Sequence, residues 1–85
     1  METTPSYYGL SSKIQLRELD NNRIGIYKVI KSRIIQKDAL KIAAIAAQIK
    51  SVDPALDVTL ICTRNICSKS IALLEREGVN LKIVD

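Results

Sequence analysis

The chain has 85 residues, 47% of them apolar, two cysteines, no histidine and a formal net charge of +4. That length makes one small domain, which buries only about 60% of its unfolded surface. The apolar fraction excludes intrinsic disorder, and no apolar run reaches the roughly 20 residues a membrane span needs. Without Trp or Phe, and with Ile more frequent than Leu, the core is aliphatic and largely β-branched. METTPSYYG lacks the charged start and apolar block of a signal peptide, and two cysteines are too few for a secreted disulfide scaffold, so the expected compartment is the cytoplasm.

Residues 1–12 carry Pro5, Gly9 and several Ser/Thr, and read as a flexible arm anchored only by Tyr7 and Tyr8, which cover a core edge or a partner surface. A single domain follows over 13–85. From Lys13 to Leu19 the residues alternate, with Ile14 and Leu16 on one side, which predicts a half-buried strand. Asp20-Asn21-Asn22 then supplies turn residues, so a hairpin leads into a strand starting at Arg23. There Ile24, Ile26 and Ile30 are apolar while Tyr27 and Val29 fall on the opposite phase. Either both sides of that strand are covered or a bulge shifts its phase near Lys28.

A helix is predicted over 36–51, with Ile42, Ile45, Ala46 and Ile49 on one face and Leu40, Ala43, Ala44 and Ala47 on a second. So apolar a helix is buried on more than one side, its alanine face against the other helix or a second subunit. Pro54 marks a loop, and DVTLICT (57–63) is the best candidate for a central strand buried on both faces. A second helix runs from an N-cap at Ser68 to about Glu77, with Gly78 as its stop, and Val79 to Val84 alternates as a last strand. The order β-β-α-β-α-β predicts an α/β fold: a small mixed sheet with helices packed on its faces.

Chemistry-bearing clusters are sparse. The absence of histidine removes the commonest general base and zinc ligand. No phosphate-binding glycine motif occurs. Cys62 and Cys67 alone do not fill a zinc site. Cys62 reads as a buried strand residue, and Cys67, near a helix start, as either inert or a thiol of lowered pKa. No pair of carboxylates stands out as converging. No cofactor and no metal are therefore expected, and no enzymatic activity.

The charge is informative in its distribution. Lys13 to Lys41 carries eight basic residues against three acidic, whereas Ala43 to Asp85 sums to zero. An asymmetric basic face is the footprint of a polyanion partner; its plain alternative is a solubilising surface. The candidate nucleic-acid contacts are Arg23, Lys28, Lys31, Arg33 and Lys37, with Arg64 in the loop after the central strand, where phosphates dock in α/β sheets.

The run GIYKVIKSR, an alanine-rich helix, DVTLICT and SKSIALLEREGVNLKIVD together resemble the second half of the restriction-endonuclease-like, or PD-(D/E)XK, nuclease fold, which includes archaeal Holliday-junction resolvases. The likeness spans roughly Lys13 to Asp85. The family's catalysis uses an Asp on the first hairpin strand and Glu-x-Lys on the second. On VIK, Lys31 matches the lysine, but Val29 stands where the metal-binding Glu belongs, and Asp20 is only loosely placed for the Asp. The resemblance thus implies an inactive, minimised relative: an accessory protein of DNA replication or repair. It would contact DNA or RNA with little sequence preference through a basic β-hairpin, and have a protein partner or form a homodimer. The alternative is a protein-interaction subunit of a polymerase or nuclease assembly that never touches nucleic acid.

Overall fold

The computed structural model describes residues 3–84; Met1 and Glu2 of the expected arm, and the terminal Asp85, lie outside the described residues. The chain is α/β, with strands β1 (Leu16–Asp20), β2 (Arg23–Lys28), β3 (Asp57–Cys62) and β4 (Asn80–Ile83) and helices α1 (Gln36–Val52) and α2 (Ser68–Arg76). The sheet order is β1-β2-β3-β4, with β1 antiparallel to β2 and the other two pairings parallel. The strands thus follow chain order without a reversal. Successive crossovers of one hand that step the same way must lay their helices on one side of the sheet. Accordingly, α1 and α2 pack on each other and on one core, formed with Leu16, Ile24, Ile26, Val58, Leu60 and Cys62.

The hairpin turns at Asn21-Asn22, where Asn22 takes a left-handed φ of 64° that an Asn tolerates. The register shifts between Glu18 and Asp20, so the bulge falls at Leu19 on β1 rather than near Lys28 on β2. The bulge absorbs the odd residue beside the turn, and β2 keeps one phase to its end at Lys28, leaving Val29 and Ile30 outside it. The first strand is also shorter than its alternation suggested, because Ile14 turns back on Ser11 through its amide.

The expected arm is docked. Pro5–Tyr8 forms a 3-10 turn, Tyr8 is 2% exposed in the core, and the Gln48 side-chain amide donates to the Tyr8 carbonyl at 2.9 Å. In α1 the inward stripe is Ala39, Ile42, Ala46 and Ile49, with Ile45 half-buried. The second apolar face is covered only in part. Ala43 sits half-buried beside α2, while Ala44 and Ala47 are exposed and Leu40 is 58% exposed, because α2 runs along only one border of that face.

β3 is buried on both faces. Val58, Leu60 and Cys62 meet the helices, while Thr59 and Ile61 are buried on the opposite side. There Gly25 makes room for Ile61: a Cβ on Gly25 would lie 2.5 Å from Ile61 Cδ1. α2 ends in a left-handed Gly78, φ 76°, with the Val79 amide donating to the Leu74 carbonyl at 2.8 Å, a closure that needs a residue without Cβ.

Gly25→Ala is therefore expected to destabilise the domain by about 1–3 kcal/mol in urea unfolding, the cost of overpacking a filled site. Ile61→Val, which removes Cδ1, should restore part of that stability in the double variant, so that the two costs are not additive.

Candidate nucleic-acid interface

Two loops meet at the edge of the sheet where β2 and β3 end. The loop after β2 carries Lys31 and Arg33, and the loop after β3 carries Arg64. They are tied together by a parallel bridge between Ile34 and Ile66. The Ile34 amide donates to the Asn65 carbonyl at 2.9 Å, and the Cys67 amide donates to the Ile34 carbonyl at 3.0 Å. The Asn65 side-chain amide donates to the Lys31 carbonyl at 3.1 Å, and Ser70 Oγ adds a bond to the Ile34 carbonyl at 3.3 Å. Both Ile34 and Ile66 are buried beneath the bridge. The loops are thus held by backbone pairing over an apolar floor, which fixes the positions from which their cations project.

Both helices begin at this edge, so their N-terminal amides and positive dipole ends point the same way as the cations. Lys37 lies in the first turn of α1 and Lys69 in the first turn of α2. Lys31, Arg33, Lys37, Arg64 and Lys69 are all exposed. Asp38 is the acidic residue of the α1 first turn, and its carboxylate accepts from the Ile35 amide at 3.2 Å. Among the described residues, no carboxylate forms an ion pair with Lys31, Arg33, Lys37 or Lys69. The opposite edge, where the helices end, gathers Asp20, Asp53, Asp57, Glu75 and Glu77 with Arg23, Lys50 and Arg76, so acidic groups outnumber basic ones there. The molecule is therefore electrically polarised along its strands.

Of the residues singled out in the sequence, Lys31, Arg33, Lys37 and Arg64 are brought together at this edge. Arg23 is not. It starts β2, at the far end of a strand that spans roughly 16 Å at its usual rise. There it pairs with Asp20 at 3.3 Å. Lys28 follows the phase of Ile24 and Ile26, so it faces the helix side and lines a groove beside α1 with Lys13 and Lys41. The basic surface consequently belongs to the loops after the hairpin more than to the hairpin. Lys69 is not apparent from the sequence because only the crossovers bring the start of α2 to the loop that carries Arg33; a lysine one residue past a helix start is the one local signal that marks it.

The N-cap of α2 is Cys67, not Ser68, because the bond from its amide to Ile34 holds Cys67 extended and makes Ser68 the first helical residue. Its Sγ lies 2.9 Å from Ser70 Oγ and accepts from the Ser70 amide at 3.4 Å. Those bonds, the Ser70 hydroxyl first, lower the Cys67 pKa, with a smaller contribution from the Arg33 charge. Burial raises that of Cys62. Both cysteines are free. Among the described residues, no group of three or more Cys, Asp or Glu is placed to hold a metal ion, and no helix is long and apolar enough to cross a membrane. No family model matches this chain, and no curated protein or solved structure matches it.

Alkylation of the folded protein with iodoacetamide should modify Cys67 and spare Cys62. The Cys67 rate should reach its plateau at lower pH than a free thiol, since the thiolate forms there earlier. Ser70→Ala should move that profile upward in pH, and an unmoved profile would mean that the hydroxyl does not stabilise the thiolate.

Proposed function

We propose that this protein is a non-catalytic nucleic-acid-binding subunit that tracks phosphates with the edge formed by Lys31, Arg33, Lys37, Arg64 and Lys69. The observation that carries this reading is the convergence of these cations, from two loops and two helix starts, on one edge. The shape of that edge bears on the ligand. In open α/β sheets a small ligand binds in the crevice where the strand order reverses and the flanking loops part to opposite faces. This sheet has no reversal, and its two loops are bridged to each other. The edge therefore offers several exposed cations rather than a pocket. A set of that kind suits a polyanion better than a single nucleotide. Binding through phosphates would give affinity and salt dependence with little sequence preference.

The resemblance to an inactive PD-(D/E)XK nuclease belongs to the same proposal. Val29 and Lys31, the positions of the Glu-x-Lys motif, lie just past the end of β2, and Asp20 ends β1 in its ion pair with Arg23. A valine offers no oxygen to a metal, so the reading assigns this chain binding without cleavage, in the manner of an accessory to replication or repair.

The triple variant Lys31→Glu, Arg33→Glu, Lys37→Glu should weaken binding of duplex and single-stranded DNA by tenfold or more in gel-shift titration, with an unchanged circular dichroism spectrum. The slope of log K against log salt should become shallower by about 0.9 for each duplex phosphate that the protein no longer neutralises. Arg76→Glu, on the opposite edge, should leave binding as it was. Equal affinity of the triple variant and the parent would refute the assignment of this edge.

A further inference from the structure

The four-stranded sheet is covered unequally on its helix side. α1 connects β2 to β3 and α2 connects β3 to β4, so no helix is assigned to β1. α1 packs on β3 and α2 on β4, so the helical cover is displaced toward β4 and is thinnest along the strip over β1. The N-terminal 3-10 turn fills one end of that strip, where Tyr8 is buried and its carbonyl meets Gln48 near the end of α1. The other end, beside the first half of α1, is an open groove of about 300 Å³.

Its apolar lining comes from the hairpin, through Ile14, Ile26, Val29 and Ile30, and from α1, through Ile42 and Ile45. Val29 and Ile30 are 37% and 39% exposed although they follow directly on a core strand. Lys13, Lys28 and Lys41 are the charged residues of the groove, and no acidic side chain lines it. An apolar floor with cations alone at its sides is complementary to one kind of surface: apolar side chains flanked by carboxylates.

We infer that this groove is the docking site for an acidic amphipathic helix of a protein partner, which takes the place of a third helix beside α1. Apolar side chains at i, i+3, i+4 and i+7 of the incoming helix would meet Ile14, Ile30, Ile42 and Ile45. Glutamates or aspartates on its flanks would meet Lys13, Lys28 and Lys41. The groove adjoins the basic edge through the loop after β2, but none of Lys31, Arg33, Lys37, Arg64 and Lys69 lines it, so this inference does not require nucleic-acid binding.

The test is a titration of the full-length, nitrogen-15-labelled protein with a synthetic peptide of about 15 residues, long enough to form a helix, carrying leucines at that spacing and glutamates elsewhere. Saturable shifts confined to Ile14, Ile26–Ile30 and Lys41–Ile45 are the expected result. Lys13→Glu with Lys41→Glu, both on the surface, should weaken binding by about tenfold or more, and Ile30→Asp by a similar factor. Three results would overturn the inference: no shifts at millimolar peptide; equal binding by a control peptide whose leucines are replaced by serine, which would reduce the interaction to charge; or a dimer in sedimentation whose interface already covers these residues, which would assign the groove to a second copy. A loss of DNA binding in the Lys31, Arg33, Lys37 variant with peptide binding retained would separate the two surfaces.

Discussion

The strand order follows chain order without a reversal, and this constraint determines most of what the molecule presents to solvent. It puts both helices on one face, while the parallel direction of β2, β3 and β4 puts both helix starts and both connecting loops at one edge. Cations that are scattered through the chain from Lys31 to Lys69 come to one edge for the second reason. The same order removes the crevice that a reversed sheet would open between its loops, and the Ile34–Ile66 bridge closes what remains. A set of exposed cations on one edge is the result, with the helix dipoles adding to it. At the opposite edge the carboxylates outnumber the cations, so the field of the molecule has a direction as well as a sign.

The constraint also leaves the sheet incompletely covered. The two crossover helices pack over β3 and β4, and their cover is thinnest over β1. Tyr8 supplies part of the cover and is buried as fully as the core isoleucines. The remainder stays open between β1 and α1, where Val29 and Ile30 are partly exposed. The face away from the helices is closed differently. Ile61 folds over Gly25, and Arg17 lies across the Tyr27 ring with its guanidinium carbon 4.6 Å from the ring centroid. That face uses the protein's own side chains where the groove does not.

Much of the fold was legible because its signals are local. The unbroken run from Val58 to Cys62 marks a strand buried on both sides, and Gly78 marks the end of α2. The alternation of Ile24 and Ile26 against Tyr27 sets the phase of β2. What the sequence does not reveal depends on pairings between distant residues. The choice of Cys67 over Ser68 as N-cap is made by the Ile34 carbonyl, thirty-three positions earlier. The docking of Tyr8 rests on Gln48. The exposure of Leu40 follows from where α2 lies beside α1, which no property of α1 records. Within the candidate site, the loop cations were readable from charge alone, while the exclusion of Arg23 follows from strand length, since β2 runs through six extended residues from Arg23 to Lys28. The turning of Lys28 toward the helices follows from the same two-residue period that buries Ile24 and Ile26.

Phosphate binding by the edge at the ends of β2 and β3 is the claim on which the functional reading rests. Fluorescence anisotropy of labelled single-stranded and duplex DNA, titrated with the protein across a salt series, addresses it without any variant. The expected result is micromolar binding with little dependence on sequence and a steep loss of affinity as salt rises. No binding at low salt would contradict it and would reduce the basic edge to a solubilising surface.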